Sequence, residues 1–472
     1  MLVRRLLSLG AAAAIVAACS SNAATTAPSS QPTVQPSQAV VQPSSAQTSS
    51  GPWTVDLTGP KCPSIASGQQ VNLTFVPHTT ANLTVDFWNR DVQRFEAAFP
   101  NIKVTLNFPP NEDLGAYLET LVASGSTPDV SMLLSDTPAF WPLLVPFDKT
   151  DPDLSQLVDA SRVTIGGQIL GIGPAKEIHN TIYYNMADFA KAGITTLPKT
   201  YTDFETVMQK LKAAGFVPME AAWGSDGYWV LSHMFNTFSD AIKLDPNWYL
   251  DYAAGKVHFT DQAWIDAATR LRNWYVDGYF EPGVFGETYA QGEHDFLAGK
   301  AAMYQMGTWF SAAAAANPPS FQIGVFLGPS GNGQPYIQGI AARGDVGVFK
   351  SSQHVCEAQL LAKFISLDPA SLKDYLDSDG QMSSIVLNSG PLQRNLTPLF
   401  QAGQTILNSG PMIITEFGMG DNSPRAGIDS GPTDALPLAL GKIVEQGADP
   451  KTELATVDAA WAAAPPNPTV AP

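Results

Sequence analysis

Three aromatic rings, an aspartate and two glycines fall within seven residues, Trp223-Gly224-Ser225-Asp226-Gly227-Tyr228-Trp229. Glycines so spaced disfavour a helix. The stretch therefore reads as a loop facing a ligand. Aromatic faces give large contact area at low entropic cost, and a carboxylate accepts hydrogen bonds from whatever lies on the ring. A surface loop anchored by one ring is the competing reading. Trp309, following Gly307 closely, is a further candidate, against the alternative of an ordinary core tryptophan. This chemistry is recognition. The chain has no Gly-x-Ser-x-Gly elbow, no His-Glu-x-x-His helix, no Walker loop and no convincing Gly-x-Gly-x-x-Gly after a strand. Its six histidines lack paired spacing, so neither a metal centre nor a cofactor is expected.

These side chains need elements to hold them, and the patterning is α/β. Leu83–Trp88 alternates as a strand would, followed by a helix over Val92–Ala98. Ile102–Phe108 reads as a strand, Leu114–Ala123 as a helix, and Asp129–Leu134 as the next strand. Such alternation implies parallel strands with helical crossovers, and ligands gather at the carboxyl ends of such strands. That position makes Trp88, Asn89, Ser135 and Asp136 candidates, although Asp136 before Pro138 could equally cap a helix. The alternation restarts after Pro174, with a strand at Ile182–Asn185 and helices at Ala187–Ala192 and from Tyr201 to Ala214. Later helices start at Asp261 and cover Val355–Ile365, Asp434–Val444 and Leu454–Trp461, while Phe296–Tyr304 turns a helix end into a strand.

The chain ends carry a different signal. Arg4 and Arg5 precede an apolar run from Leu6 to Ala18, too short for a permanent membrane span. Residues 1–18 therefore read as an export signal. Val16-Ala17-Ala18-Cys19 resembles the lipobox of bacterial lipoproteins, which implies cleavage before Cys19 and its lipidation; an ordinary signal peptide with a chance cysteine is the plainer alternative. No charged residue occurs between Arg5 and Asp56, and the Ser/Pro/Gln/Ala/Thr composition of 19–60 suits a disordered linker. A second such piece covers 462–472. Without Arg4 and Arg5 the chain has 24 basic against 43 acidic side chains and no Lys/Arg cluster, which argues against nucleic acid as a partner. Cys62 and Cys356 are either bridged, pinning the start of the body to a distant helix, or two buried thiols.

Six segments in order carry a family resemblance: Phe95–Val104, Ala123–Val130, Ile182–Asn185, Tyr201–Phe204, Phe296–Met303 and Gly307-Thr308-Trp309. Together they resemble the extracellular solute-binding protein family of carbohydrate ABC importers, the relatives of maltose-binding protein. The resemblance implies a two-lobed, periplasmic-binding-protein-like α/β fold with a hinge and a ligand cleft between the lobes. One lobe would hold 81–178 with 336–388, and the other 179–335 with 389–461. It implies that Trp309 stacks on sugar, that Tyr228, Trp229 and Asp226 meet the ligand with Trp223 behind them, and that Asp136 faces the cleft. Glu177, His179 and Asn180, ahead of the second-lobe strand, lie near where relatives carry a ligand-binding acid, out of register by a residue. Gln338 lies at the crossing back to the first lobe.

The function so implied is capture of a sugar or sugar-like solute by a monomer, lipid-anchored at the extracytoplasmic face of the cell membrane. Delivery would go to a permease with a cytoplasmic ATPase. An exported lipoprotein glycosidase is one alternative, since the spacing of paired carboxylates is spatial and unreadable in sequence. A sensor or adhesion module on the same fold is another.

Overall fold

The computed structural model describes residues 62–463 except 81, 111–113, 135–137, 157–161, 174, 225–230, 232–233, 235–237, 246–247, 344, 381, 384–395, 408–412 and 416–434. The first core begins earlier in the chain than the sequence pattern suggests. Its opening strand is β1 (Val71–Val76), ahead of position 81. Leu83–Trp88, expected to be a strand, instead leads into a helix over Val85–Ala98. Thr84 caps that helix by accepting the Phe87 N–H, and Asp86 sits in its first turn, where a negative charge is favoured. Phe87, Trp88, Val92 and Phe95 are buried on one face. This three-to-four-residue period outweighs the shorter alternation of Leu83, Val85 and Phe87. The correction takes Trp88 and Asn89 from a strand end into a helix.

The parallel reading holds with the strands renamed. β1 pairs in parallel with both β2 (Ile102–Leu106) and β3 (Val130–Met132). The intervening helices Val85–Ala98 and Leu114–Ala123 are the crossovers. The sheet continues through β12 (Val346–Val348) to the hairpin of β5 (Gln168–Ile172) and β4 (Arg162–Ile165), in the order β2-β1-β3-β12-β5-β4. β12 runs antiparallel to both β3 and β5. Helices Val355–Leu367 and Pro369–Ser378 complete this core.

A second core surrounds a four-stranded sheet of β7 (Thr181–Asn185), β8 (Val217–Glu220), β9 (Ala301–Gln305) and β10 (Ile323–Leu327), ordered β10-β7-β9-β8. The Tyr201–Ala213 helix opens with a capping box in which Thr200 and Asp203 each accept the other's backbone N–H. It packs Phe204, Val207, Met208 and Leu211 inward beside helices Gln262–Val276 and Ala435–Val444.

A third sheet, β13-β6-β11-β14, comprises β6 (Ala175–Ile178), β11 (Tyr336–Arg343), β13 (Met382–Ser383) and β14 (Ile413–Thr415). The chain passes from the first core at Ile172 through Ile178 to the second at Ile182. It returns from Phe326 through Ile337 to Val346, and crosses again from Leu376 through Phe400 to Leu436. All three passages go through a small cluster of Ile178, Ile337 and Phe400.

Cys62 and Cys356 are joined by a disulfide across 294 positions of sequence. It fastens the short Pro63–Ser67 helix to the Val355–Leu367 helix, and Ser64 donates to Glu357 beside it. No helix among the described residues is long and apolar enough to cross a membrane. Cys19 and the terminal segments lie outside the described residues.

Candidate functional site

Trp309 stands at the turn between β9 and the Phe310–Ala316 helix, and the turn is built to hold it. A Cβ on Gly307 would lie 1.9 Å from the indole ring, so only glycine lets the ring fold back over the backbone there. The Thr308 N–H donates to Ile178 O at 3.1 Å, and the Thr308 hydroxyl accepts from the Ile178 N–H at 3.3 Å. Gln305 Nε2 donates to His179 O at 3.0 Å. The turn is thus tied to the first passage between the cores.

The ring itself is half-buried. His179 meets it edge-on, with centroids 5.2 Å apart and planes at 80°. At the opposite pole, Trp309 Nε1 donates to the Tyr289 hydroxyl at 2.9 Å, and that hydroxyl donates to Glu293 Oε2 at 3.4 Å. Tyr289 and Glu293 are one turn apart on the Tyr289–Leu297 helix, whose N-terminus Thr288 and Gln291 close with a capping box. Burial raises the Tyr289 phenol well above its usual range, and the nearby Glu293 charge adds to the effect. Burial raises the Glu293 carboxyl as well. The phenol therefore keeps its proton at neutral pH.

The first core reaches the same place. Asn82 Nδ2, beside Leu83 of that core, donates to Trp309 O at 3.5 Å and to Asp379 Oδ1 at 3.3 Å. Ser311 Oγ donates to Gly380 O at 3.4 Å. Trp309 thus lies where side chains of both cores converge, with an aromatic ring among amide, carboxyl, phenol and imidazole groups. Such a set can lie against an apolar ring face and satisfy neighbouring hydroxyls.

The other candidates divide. Trp88 is a core residue: its ring is wholly buried against Phe75 and Phe87, and its Nε1 donates to His78 O at 2.7 Å. Asn89 is exposed on the same helix. Trp223 is 0 % exposed and packs on Phe280 at 4.3 Å and Phe285 at 5.2 Å, so no face is open to a ligand. Asn180 is buried and structural, its Nδ2 donating to Tyr336 O at 3.0 Å between two passages of the chain. Glu177 and Gln338 are described by their backbones alone, Glu177 opposite Ile340 and Gln338 opposite Thr415 in the third sheet. Ser135, Asp136, Asp226, Tyr228 and Trp229 lie outside the described residues.

Four residues around Trp309 escape the sequence reading: Asn82, Tyr289, Glu293 and Asp379. For Tyr289 and Glu293 a signal did exist. An aromatic and an acid at i and i+4 immediately precede the Phe296–Met303 segment. Asn82 and Asp379 are 297 positions apart and meet only through the fold.

The sequence pattern of the bacterial extracellular solute-binding protein family matches residues 81–370. A multiple sugar-binding protein of Streptococcus mutans is 27 % identical over 303 residues, 61 % of this chain and 70 % of its own length. Among solved structures, a chitin oligosaccharide binding protein superposes with a TM-score of 0.69 at 22 % identity, over 83 % of this chain and 98 % of that one. A sugar transporter protein of Bacillus licheniformis, in complex with stachyose, gives a TM-score of 0.65 at 16 % identity, over 83 % and 99 %. Its two cores joined by three passages are the two lobes of this fold, and the chain belongs to the bacterial extracellular solute-binding protein family.

Proposed function

We propose that the protein captures a sugar or sugar-like solute in the cleft between its lobes and releases it unchanged to an ABC permease. In this reading it works at the extracytoplasmic face of the membrane, tethered through lipid on Cys19. The observation that carries the reading is Trp309: a half-buried ring, fixed at its polar edge by Tyr289, at the point where the lobes touch. The sugar-binding and stachyose-bound relatives support a carbohydrate as the ligand class. An excess of acidic side chains suits an uncharged ligand better than an anionic one. Tyr228, Trp229, Asp226, Ser135 and Asp136 are proposed to complete the cleft, with Glu177, His179 and Gln338 at its floor.

Closure follows if the closed form touches the solute with both lobes, since only differential affinity shifts the equilibrium. The test is a thermal-shift panel of mono- and oligosaccharides, polyols and glycosides, followed by calorimetry on those that raise the melting temperature. Ligand recovered after incubation should have its original mass. Cleaved ligand would favour the glycosidase alternative, and no response to any panel member would remove carbohydrate as the ligand class.

A further inference from the structure

Beside the helix that carries Tyr289 and Glu293 lies a second polar cluster. Glu220, the last residue of β8, is 0 % exposed. Glu281 and Glu287, from the turn preceding that helix, are half-buried. One carboxylate oxygen from each of the three lies within 4.8 Å of the other two. Glu220 Oε1 accepts the backbone N–H groups of Ala221 at 2.8 Å and Ala222 at 3.0 Å. Its Oε2 is buried and receives no hydrogen bond, and the same holds for Glu281 Oε2 and Glu287 Oε2.

The backbone enforces this crowding. Met219 N–H donates to Tyr279 O at 3.0 Å, and Glu281 N–H donates back to Met219 O at 3.1 Å. Gly224 N–H donates to Glu287 O at 2.9 Å, which ties down the far end of the turn. A Cβ on Gly292 would stand 2.4 Å from the Ala222 Cβ and 3.2 Å from Glu220 Oε1, so the helix closes over the cluster only because that position is glycine. Lys300 favours the Glu281 carboxylate from a distance, but its ammonium is bonded to Asp295 at 2.6 Å.

Three converging carboxyl groups with buried, donorless oxygens need a compensating charge. Without one, burial and then contact with Glu287 push Glu220 up to about 8, and burial with the Glu287 charge pushes Glu281 up to about 7. The donor set is oxygen alone, which selects hard cations over zinc or copper. Ca2+ takes about six to eight oxygens in adaptable geometry, carboxylates included, whereas Mg2+ demands a near-ideal octahedron, keeps several waters and usually takes only one or two carboxylates.

We propose that Glu220, Glu281 and Glu287 form a Ca2+ site that fastens the end of β8 to the 281–287 turn, directly behind the helix that positions Trp309. The inference stands apart from the sugar reading, because its test contains no sugar. The full-length protein, stripped with EDTA and dialysed, is titrated with CaCl2 while its melting temperature and retained calcium are measured. The expected result is one calcium retained per chain and a rise of about 3 °C or more at millimolar CaCl2, with MgCl2 at least about tenfold less effective. Glu281→Gln and, separately, Glu287→Gln should abolish both the rise and the retention. Stripped of metal, each variant should melt no lower than stripped wild type, because the new amide N–H can donate to a neighbouring carboxyl oxygen that lacks a donor. A wild type that retains no calcium and melts identically with and without CaCl2 would overturn the proposal, leaving carboxyl groups that share protons. So would a response to MgCl2 alone, or a calcium response kept in both variants.

Discussion

Trp309 and Tyr289 are joined by their polar edges, indole N–H to phenol oxygen at 2.9 Å, with Glu293 behind the phenol at 3.4 Å. The chain Trp309–Tyr289–Glu293 sets the tilt of the ring before any solute arrives. Tyr289→Phe should keep the fold and weaken solute binding roughly fivefold, the worth of one hydrogen bond of about 1 kcal/mol. Trp309→Ala removes the proposed stacking face and should cost about 2–3 kcal/mol, roughly 30- to 150-fold in Kd. Calorimetry with the solute found by the thermal panel checks both. Unfolding of Trp309→Ala would instead mark the ring as core.

Asp91 gives a pH signature. It is buried on the Val85–Ala98 helix and accepts from Arg94 at 2.8 Å and from Ser371. Burial outweighs these partners and raises its carboxyl from 3.8 to about 6. The folded protein therefore holds this proton more tightly than the unfolded chain. The contribution to stability is complete below about pH 4, declines as pH rises to about 6 and is flat beyond. Asp91→Asn should remove that decline, a difference of about 3 kcal/mol at most between pH 4 and pH 7. Urea melts of both proteins across that range measure it.

The Cys62–Cys356 bridge closes a loop of 294 positions. Reduction, or Cys62→Ser with Cys356→Ser, should lower stability by up to about 5 kcal/mol. Solute affinity should be unchanged, since the two helices it joins, Pro63–Ser67 and Val355–Leu367, carry none of the candidate binding residues. Denaturant curves with and without reductant, paired with calorimetry, separate the two effects.

Lys363 is 2 % exposed and bonded to Asp151 at 2.9 Å and Asp153 at 2.8 Å. It clamps the Pro152–Gln156 turn to the Val355–Leu367 helix. Lys363→Ala strands two carboxylates and should destabilise the protein by about 3–5 kcal/mol. Asp151→Asn with Asp153→Asn in the same background should recover part of the loss. A double-mutant analysis of melting data tests this coupling.

Much of the architecture was legible because helical and strand periods are local. The Ile102, Asp129 and Ile182 strands and the Tyr201, Asp261 and Val355 helices appear close to where their patterns put them. The miss at Leu83–Trp88 came from reading alternation without weighing Thr84 as a cap. β1, six residues between a turn and a loop, went unread altogether. The candidate site residues were harder, since exposure is a property of the whole fold. Trp88, Trp223 and Trp309 are chemically alike, yet two are walled in by Phe75, Phe87, Phe280 and Phe285, and of the three Trp309 alone is less than fully buried. Glu220, Glu281 and Glu287 show no metal-ligand spacing either, because a turn brings them together.

The placement of β12 between β3 and β5 bears on how the molecule is made. Until Val346–Val348 has been synthesised, the first sheet exists as two pieces, each with a raw hydrogen-bonding border. Most of the second lobe, though not its Ala435–Val444 and Pro450–Ala463 helices, precedes that strand in the chain, so the seam closes through long-range pairing late in folding. A chain stalled or clipped before residue 346 would display both borders at once, inviting aggregation in place of partial function.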